Sequence, residues 1–207
     1  MVILRSDFGL KFSTRAFELS YGASIAIFAA LLAVFDLKGG AVATEEIRLV
    51  VGQNNAYQWY QAKSMKASLA NAQLELTKLL AESSADPAKV EAFNLQARSI
   101  KTKISEYEGE KKEILLGSKA VGENHWVQKI DGHLGKVIGA KEYEEKLLAI
   151  AEKGANIDIA ILWLQMALVL GALGLLMSGR EGKYLLLLGT IVTGLLGSFY
   201  GVWGLAL

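Results

Sequence analysis

The sequence predicts an all-α integral membrane protein, with three transmembrane helices and a long extramembrane antiparallel helical hairpin, coiled-coil-like, between spans one and two. Three observations predict it. First, Leu19–Phe35, Ile159–Met177 and Tyr184–Leu207, of 17, 19 and 24 residues, contain no Asp, Glu, Lys or Arg. A bilayer core takes about 20 apolar residues as helix, with a range of roughly 17–25. Second, hydrophobic residues make up 52% of the 207-residue chain and charged residues 21%, so the two kinds are segregated into blocks. Third, the charged block carries apolar residues at alternating spacings of three and four, and the chain's one proline, Pro87, leaves long helices uninterrupted.

In chain order, residues 1–18 form an amphipathic arm, MVILRSDFGLKFSTRAF and Glu18. It interleaves Ile3, Leu4, Phe8, Leu10, Phe12 and Phe17 with Arg5, Lys11 and Arg15, a pattern suited to the headgroup region. Residues 19–37 are the first span. Ala41-Val42-Ala43 looks like a signal-cleavage site, but the 18-residue leader and the long apolar block fit that reading poorly. The segment is therefore expected to stay as a membrane helix.

Residues 38–156 are the extramembrane domain. Gly39-Gly40 reads as a flexible break. Thr44 is the expected N-cap, with Glu45 and Glu46 in the first turn, where the helix dipole favours acids. A helix then runs over about 45–82. Asp86 and Pro87 begin a second, over 87–116, because Pro suits a first helical position whose N–H has no partner. The stripe Ala62, Met65, Leu69, Ala72, Leu76, Leu79 on the first and Val90, Phe93, Ala97, Ile100, Ile104, Tyr107 on the second are expected to bury against a partner helix. Residues 87–157 are too long to return as one straight helix. Gly117, Gly122, Gly132, Gly135 and Gly139 mark where the segment should fold, around 117–139. A last amphipathic helix, 140–157, leads into the second span, 157–177, and the third span is 184–207.

Three spans put the N-terminus and Ser178–Lys183 on one side. Near-membrane cations number five on each side, but the bias toward the cytoplasm is expressed mainly in short loops. The arm and Arg180/Lys183 are therefore expected to be cytoplasmic and the helical domain extracytoplasmic.

Several function classes are disfavoured. A net charge of +1 gives no chain-wide attraction for phosphates, so nucleic acid is not an expected partner. The absence of cysteine excludes disulfides and thiol chemistry. No phosphate loop, GxSxG elbow, HExxH or dinucleotide fingerprint occurs, and GREGK before the last span is a basic turn. His125 and His133 lie eight residues apart, roughly 12 Å along a helix, too far to share a metal without a bend. Glu18, Asp36 and Asp158 sit at span ends, within reach of headgroups. No catalytic, cofactor-binding or metal-binding residue is expected, and the chain is not expected to be an enzyme.

The candidate residues are interfacial. Gly194, Gly197, Gly201 and Gly204 share one face of the last span, and Gly171 and Gly174 do so on the second. Lipid supplies no hydrophobic drive between helices, so close contact of small faces holds them together, within one chain or between chains. A pore would use Gln165, Thr190 or Thr193, the polar residues of the span interiors. The other candidates are Tyr57, Trp59, Tyr60, Gln61 and Lys63, whose rings present aromatic surface on two sides of one helix.

These last residues carry a resemblance. Tyr57–Lys66, YQWYQAKSMK, about 20 residues after the first span, resembles the QWxxYQAKS-like signature of a bacterial three-span membrane protein family, a domain of unknown function. In that family a charged helical stretch follows, then two spans entered through a motif with an acid, which Asn156-Ile157-Asp158 and Gln165-Met166-Ala167 resemble. The likeness runs from about residue 20 to 205. The N-terminus departs from it, being basic and aromatic rather than acidic. The resemblance implies a bacterial inner-membrane protein but no activity. The expected role is a non-catalytic scaffold or accessory subunit in the lipid bilayer, assembling with itself or with a larger membrane complex. A homo-oligomeric channel or transporter component is the alternative.

Overall fold

A computed structural model describes residues 14–207, with side chains from Phe17 onward. Most of the arm predicted over 1–18 lies outside the described residues. The elements are α1 (Thr14–Ser83), α2 (Pro87–Leu116), α3 (Ser118–Val121), a 3-10 turn (Glu123–His125), α4 (Ala140–Leu176) and α5 (Arg180–Ala206). Among the described residues there is no strand, only an isolated bridge between Ile130 and His133. α1, α4 and α5 are long and apolar enough to cross a membrane. The chain divides into two compact units: residues up to Thr44 with Ile150–Leu207, and Glu45–Ala149.

α1 runs for 70 residues without the expected break at Gly39-Gly40. Each glycine costs about 1 kcal/mol of helix propensity against Ala. Elongating an existing helix is nonetheless far easier than starting a new one. Packing also holds this stretch: a Cβ on Gly39 would lie 3.3 Å from Ile157, and Val42 is in contact range of Gly154. Thr44 is consequently no N-cap. Its hydroxyl donates to the Gly40 carbonyl one turn back, at 2.8 Å.

The apolar unit is built on aromatic rings seated against glycines. Phe28 and Phe35, seven residues apart on α1, lie directly over Gly194 and Gly201, seven apart on α5. Leu164 and Ile157 of α4 occupy the equivalent places over Gly197 and Gly204. Residue numbers rise together in the first pairing and oppositely in the second, so α5 runs with α1 and against α4. Tyr21 lies over Gly174 and donates its hydroxyl to the Lys183 carbonyl, and Phe17 meets Tyr184 edge to face at 4.4 Å. Phe28, Phe35, Ile157, Ala160, Leu164 and Ala167 form the core. Only a residue without a Cβ lets a ring approach the backbone this closely, which is how small faces replace hydrophobic drive in lipid. The last helix begins at Arg180, so Arg180–Lys183 form its first turn and not a separate basic turn.

In the charged unit, Asp86 accepts a hydrogen bond from the Ala88 N–H at 3.0 Å, with Pro87 in the first turn, and α2 ends at Gly117 with φ 90°. The α2 stripe faces inward as expected: Ile100 and Ile114 are buried, and Val90, Phe93, Ala97, Ile104 and Tyr107 half-buried. The α1 stripe does not. Met65, Leu69, Leu76 and Leu79 are exposed. The inward residues are Leu49, Gln53, Ala56, Tyr60, Lys63, Ala67, Ala70, Leu74, Thr77 and Ala81, also at alternating spacings of four and three. The two frames differ by two residues, about 200° round a helix. Small residues win the inner frame because Ala67 and Ala70 admit a neighbour closely, whereas Leu and Met would hold it off.

Gly117, Gly122, Gly132 and Gly135 all have positive φ between 79° and 90°. They turn the chain through 117–139, the region where the sequence places a fold. Gly139 instead lies against the Gly117 backbone and leaves no room for a Cβ.

Two glycines of this chain are expected to respond oppositely to alanine. A Cβ added at Gly40 would meet nothing within 4 Å, so Gly40→Ala should stabilise by about 0.5–1 kcal/mol. Gly201→Ala forces Phe35 away and should destabilise by about 1–3 kcal/mol. Chemical unfolding in detergent, followed by helicity, measures both. Equal responses would contradict the seating of Phe35 on Gly201.

Candidate functional site

The five predicted residues of the aromatic stretch divide between different surroundings. Tyr60 and Lys63 face α2. The Lys63 ammonium lies 2.5 Å from Glu110 Oε2, with the two side chains 15% and 12% exposed, and 5.8 Å from the centre of the Tyr107 ring. The Tyr60 ring is matched in the same way by Lys111, whose Nζ is 5.7 Å from its centre and 2.9 Å from Glu108. Each cation is thus held between a carboxylate and an aromatic face. That arrangement recovers part of the desolvation cost that an ion pair away from water carries. A signal for this existed in the sequence, because Glu110 falls in the α2 stripe, three residues after Tyr107 and four before Ile114.

Tyr57 turns to the start of α4, where its hydroxyl donates to Glu144 Oε1 at 2.6 Å. The two residues are 87 positions apart, and no local pattern links them. That hydrogen bond, then desolvation and the carboxylate's charge, push the Tyr57 phenol above its ordinary value of 10.0. Trp59 is 41% exposed and Gln61 is exposed. Trp59 borders an open groove of about 430 Å³, shared with Gly52, Asn55, Lys136 and Tyr143. Gly52 lies under the Tyr143 ring and has no room for a side chain.

Sequence reasoning missed the element that holds the 117–139 fold together. The Glu113 carboxylate is fully buried. It accepts from the Ser118 hydroxyl at 2.6 Å and from the backbone N–H groups of Val127 and Gln128 at 2.8 and 2.7 Å. Ser118 Oγ in turn accepts from the Val137 N–H at 2.9 Å, and Trp126 Nε1 donates to the Ser118 carbonyl at 2.7 Å. A carboxylate whose two oxygens are both taken by fixed donors is a structural anchor. Its partners lie 5 to 15 residues away across irregular backbone, so helical spacing could not reveal it.

The four predicted glycines, Gly194, Gly197, Gly201 and Gly204, are buried within one chain against α1 and α4. The polar span residues do not share one environment. Gln165 is exposed on α4, while Thr190 and Thr193 are buried and donate to carbonyls of their own helix. His125 closes the 3-10 turn, and His133 pairs with Ile130 through its backbone. Among the described residues no group of three or more His, Cys, Asp or Glu is placed to hold a metal.

Two outcomes test this geometry. Glu113→Ala strands two backbone donors and a hydroxyl and should cost about 3 kcal/mol or more locally. Trypsin should then cut after Lys119, Lys129 or Lys136 faster than in the parent chain. Unchanged cleavage would contradict the anchoring role. For Tyr57, the fold binds the protonated phenol. Its contribution is therefore whole below the unfolded value near 10 and is lost as pH rises through the raised folded value. The phenolate absorbance titration of the parent minus that of Tyr57→Phe should have its midpoint above 10.0. A midpoint at or below 10.0 would remove Glu144 as the partner.

Comparison with curated proteins and with solved structures finds no match. A family profile does match, over residues 19–207, and so takes in the apolar helices, the aromatic stretch and the Glu113 anchor alike. The chain belongs to the family described as the domain of unknown function DUF4337.

Proposed function

We propose that this chain is a non-catalytic, membrane-anchored scaffold or accessory subunit that assembles through helical interfaces. The observation that carries the reading is α1 itself. One unbroken helix of 70 residues contributes both to the apolar unit and to the charged unit, so an anchor and a helical arm share a single continuous element. The functional candidates favour contact over reaction: Lys63, Lys111, Tyr57 and Glu113 are each engaged with a partner inside the chain.

In this reading α1, α4 and α5 are three spans of a bacterial inner membrane, and the run at Tyr57–Lys66 is the family signature. The second half of α1 and α2 form an antiparallel helical hairpin, supported by the contacts of Tyr60 and Lys63 with residues 107–111 across a short connection. Arg180 and Lys183 stand in the first turn of α5, beside the short α4–α5 connection, which favours the cytoplasm for that end and the extracytoplasmic side for the hairpin. The partners are the bilayer and further copies of the chain or subunits of a larger membrane complex, with no nucleic acid. The alternative, a channel or transporter component, draws less support from the spans, because Gln165 is exposed whereas Thr193 is buried.

Native mass spectrometry and single-particle imaging of the full chain in lipid nanodiscs test the proposal. A defined oligomer or a stoichiometric complex with packed spans is the expected result. A monomer throughout would overturn assembly, and a hydrated central path would replace the scaffold with the channel.

A further inference from the structure

We infer that the outer face of α1 between Ala62 and Leu79 is a parallel coiled-coil seam for a second copy of this chain. The inference rests on the membrane-assembly reading and locates its interface.

α1 carries two interleaved seven-residue repeats in its charged half. The inner one, through Ala56, Lys63, Ala70 and Thr77, is covered within the chain. The outer one is complete and uncovered. Ala62, Leu69 and Leu76 stand at the first core position of successive heptads, and Met65, Ala72 and Leu79 at the fourth. Met65 and Leu69 are both 66% exposed, Leu76 is 58% and Leu79 is 61% exposed. Ala62 and Ala72 are exposed as well. Lone surface leucines need no explanation, but six layers in register without a partner do. The spacing identifies the occupant as an α-helix, because alternating steps of three and four match only another helix at a shallow crossing angle.

Three arguments select a second copy. Copies anchored through the same apolar helices enter one membrane in one direction, so parallel α1 helices bring each residue to the height of its own equivalent. Every core position then meets itself and the layers align without adjustment. The flanking positions also permit self-pairing. In a parallel pair Gln61 faces Lys66, Ser68 faces Gln73, and Glu75 faces Leu80 across the seam, so no like charges meet. The area also suffices. Four large side chains and Leu80, each with on the order of 100 Å² exposed, give roughly 500 Å² of apolar surface per copy. A specific interface of standard size buries about 800 Å² per partner, rather more than half of it apolar, which is about the same amount. The outer face of α2 has no equivalent stripe; Leu95 is its one strongly exposed large apolar residue among those described.

The chain has no cysteine, so single cysteines report without background. Full-length Leu69→Cys, Leu76→Cys and, as a control on α2, Lys101→Cys are oxidised in membranes and run on non-reducing gels. Equivalent core positions of a parallel pair lie about 6 Å apart, within disulfide reach. The expected result is at least tenfold more dimer at 69 and 76 than at 101. Leu69→Glu with Leu76→Glu should abolish the oligomer seen by native mass spectrometry, and Lys101→Glu should leave it intact. Cross-linking at 69 and 76 no greater than at 101, in a chain that is still oligomeric, overturns this seam and leaves the assembly reading standing. A monomer by mass overturns both. Preferential disulfides between Met65→Cys and Leu76→Cys copies, or capture of a foreign protein at position 69, overturn the parallel self-pairing.

Discussion

Everything in this chain depends on a single seam kept at seven-residue intervals along α1. Tyr21, Phe28, Phe35, Val42, Leu49, Ala56, Lys63, Ala70 and Thr77 are all buried or half-buried. No other element contributes so much to both units, and each unit closes around its own part of this one line. The repeat is what allows Gly39 and Gly40 to remain helical. They fall between Phe35 and Val42, both of which are held by contacts in the apolar unit.

The chemistry of the seam changes along its length. In the apolar unit the seam residues are large and rigid, and glycines of α4 and α5 receive them. In a bilayer, tails would be as apolar as the side chains, and attraction between helices would have to come from fit. In the charged unit the seam residues become alanines, a threonine and a lysine. Here water drives burial, small residues bring the helices close, and Lys63 finds its charge matched by Glu110 and the face of Tyr107. Water also makes the outer leucines costly to leave exposed. In the proposed assembly the same helix faces two demands, one met within the chain and one by a neighbour.

The parts of the fold set by local chemistry were legible in the sequence. Charge-free blocks fall within α1, α4 and α5, Asp86 and Pro87 open α2, and Gly117, Gly122, Gly132 and Gly135 take the positive φ that turns require. Tertiary choices were not legible. Two heptad frames occupy residues 62–79, and hydrophobicity favours the one richer in Leu, whereas close approach within the chain favours the one richer in Ala. The Gly39-Gly40 pair reads as a break until Ile157 and Gly154 are known to pack beside it. Of the candidate site, Tyr60 and Lys63 reach α2 through a pattern visible in the stripe of α2. Tyr57 with Glu144, and Glu113 with Val127 and Gln128, are brought together by chain reversals that no periodicity encodes.

The two-seam account of α1 is tested most directly by scanning single cysteines through residues 60–80 and measuring their rates of maleimide labelling in intact membranes. Labelling is predicted to fall at Lys63, Ala67, Ala70 and Thr77 and again at Met65, Leu69, Leu76 and Leu79, with fast labelling at Asn71 and Lys78 between them. After dispersal to monomers in detergent, only the first set should remain protected. A single set of minima in membranes, or fast labelling at 63, 67, 70 and 77, would contradict it.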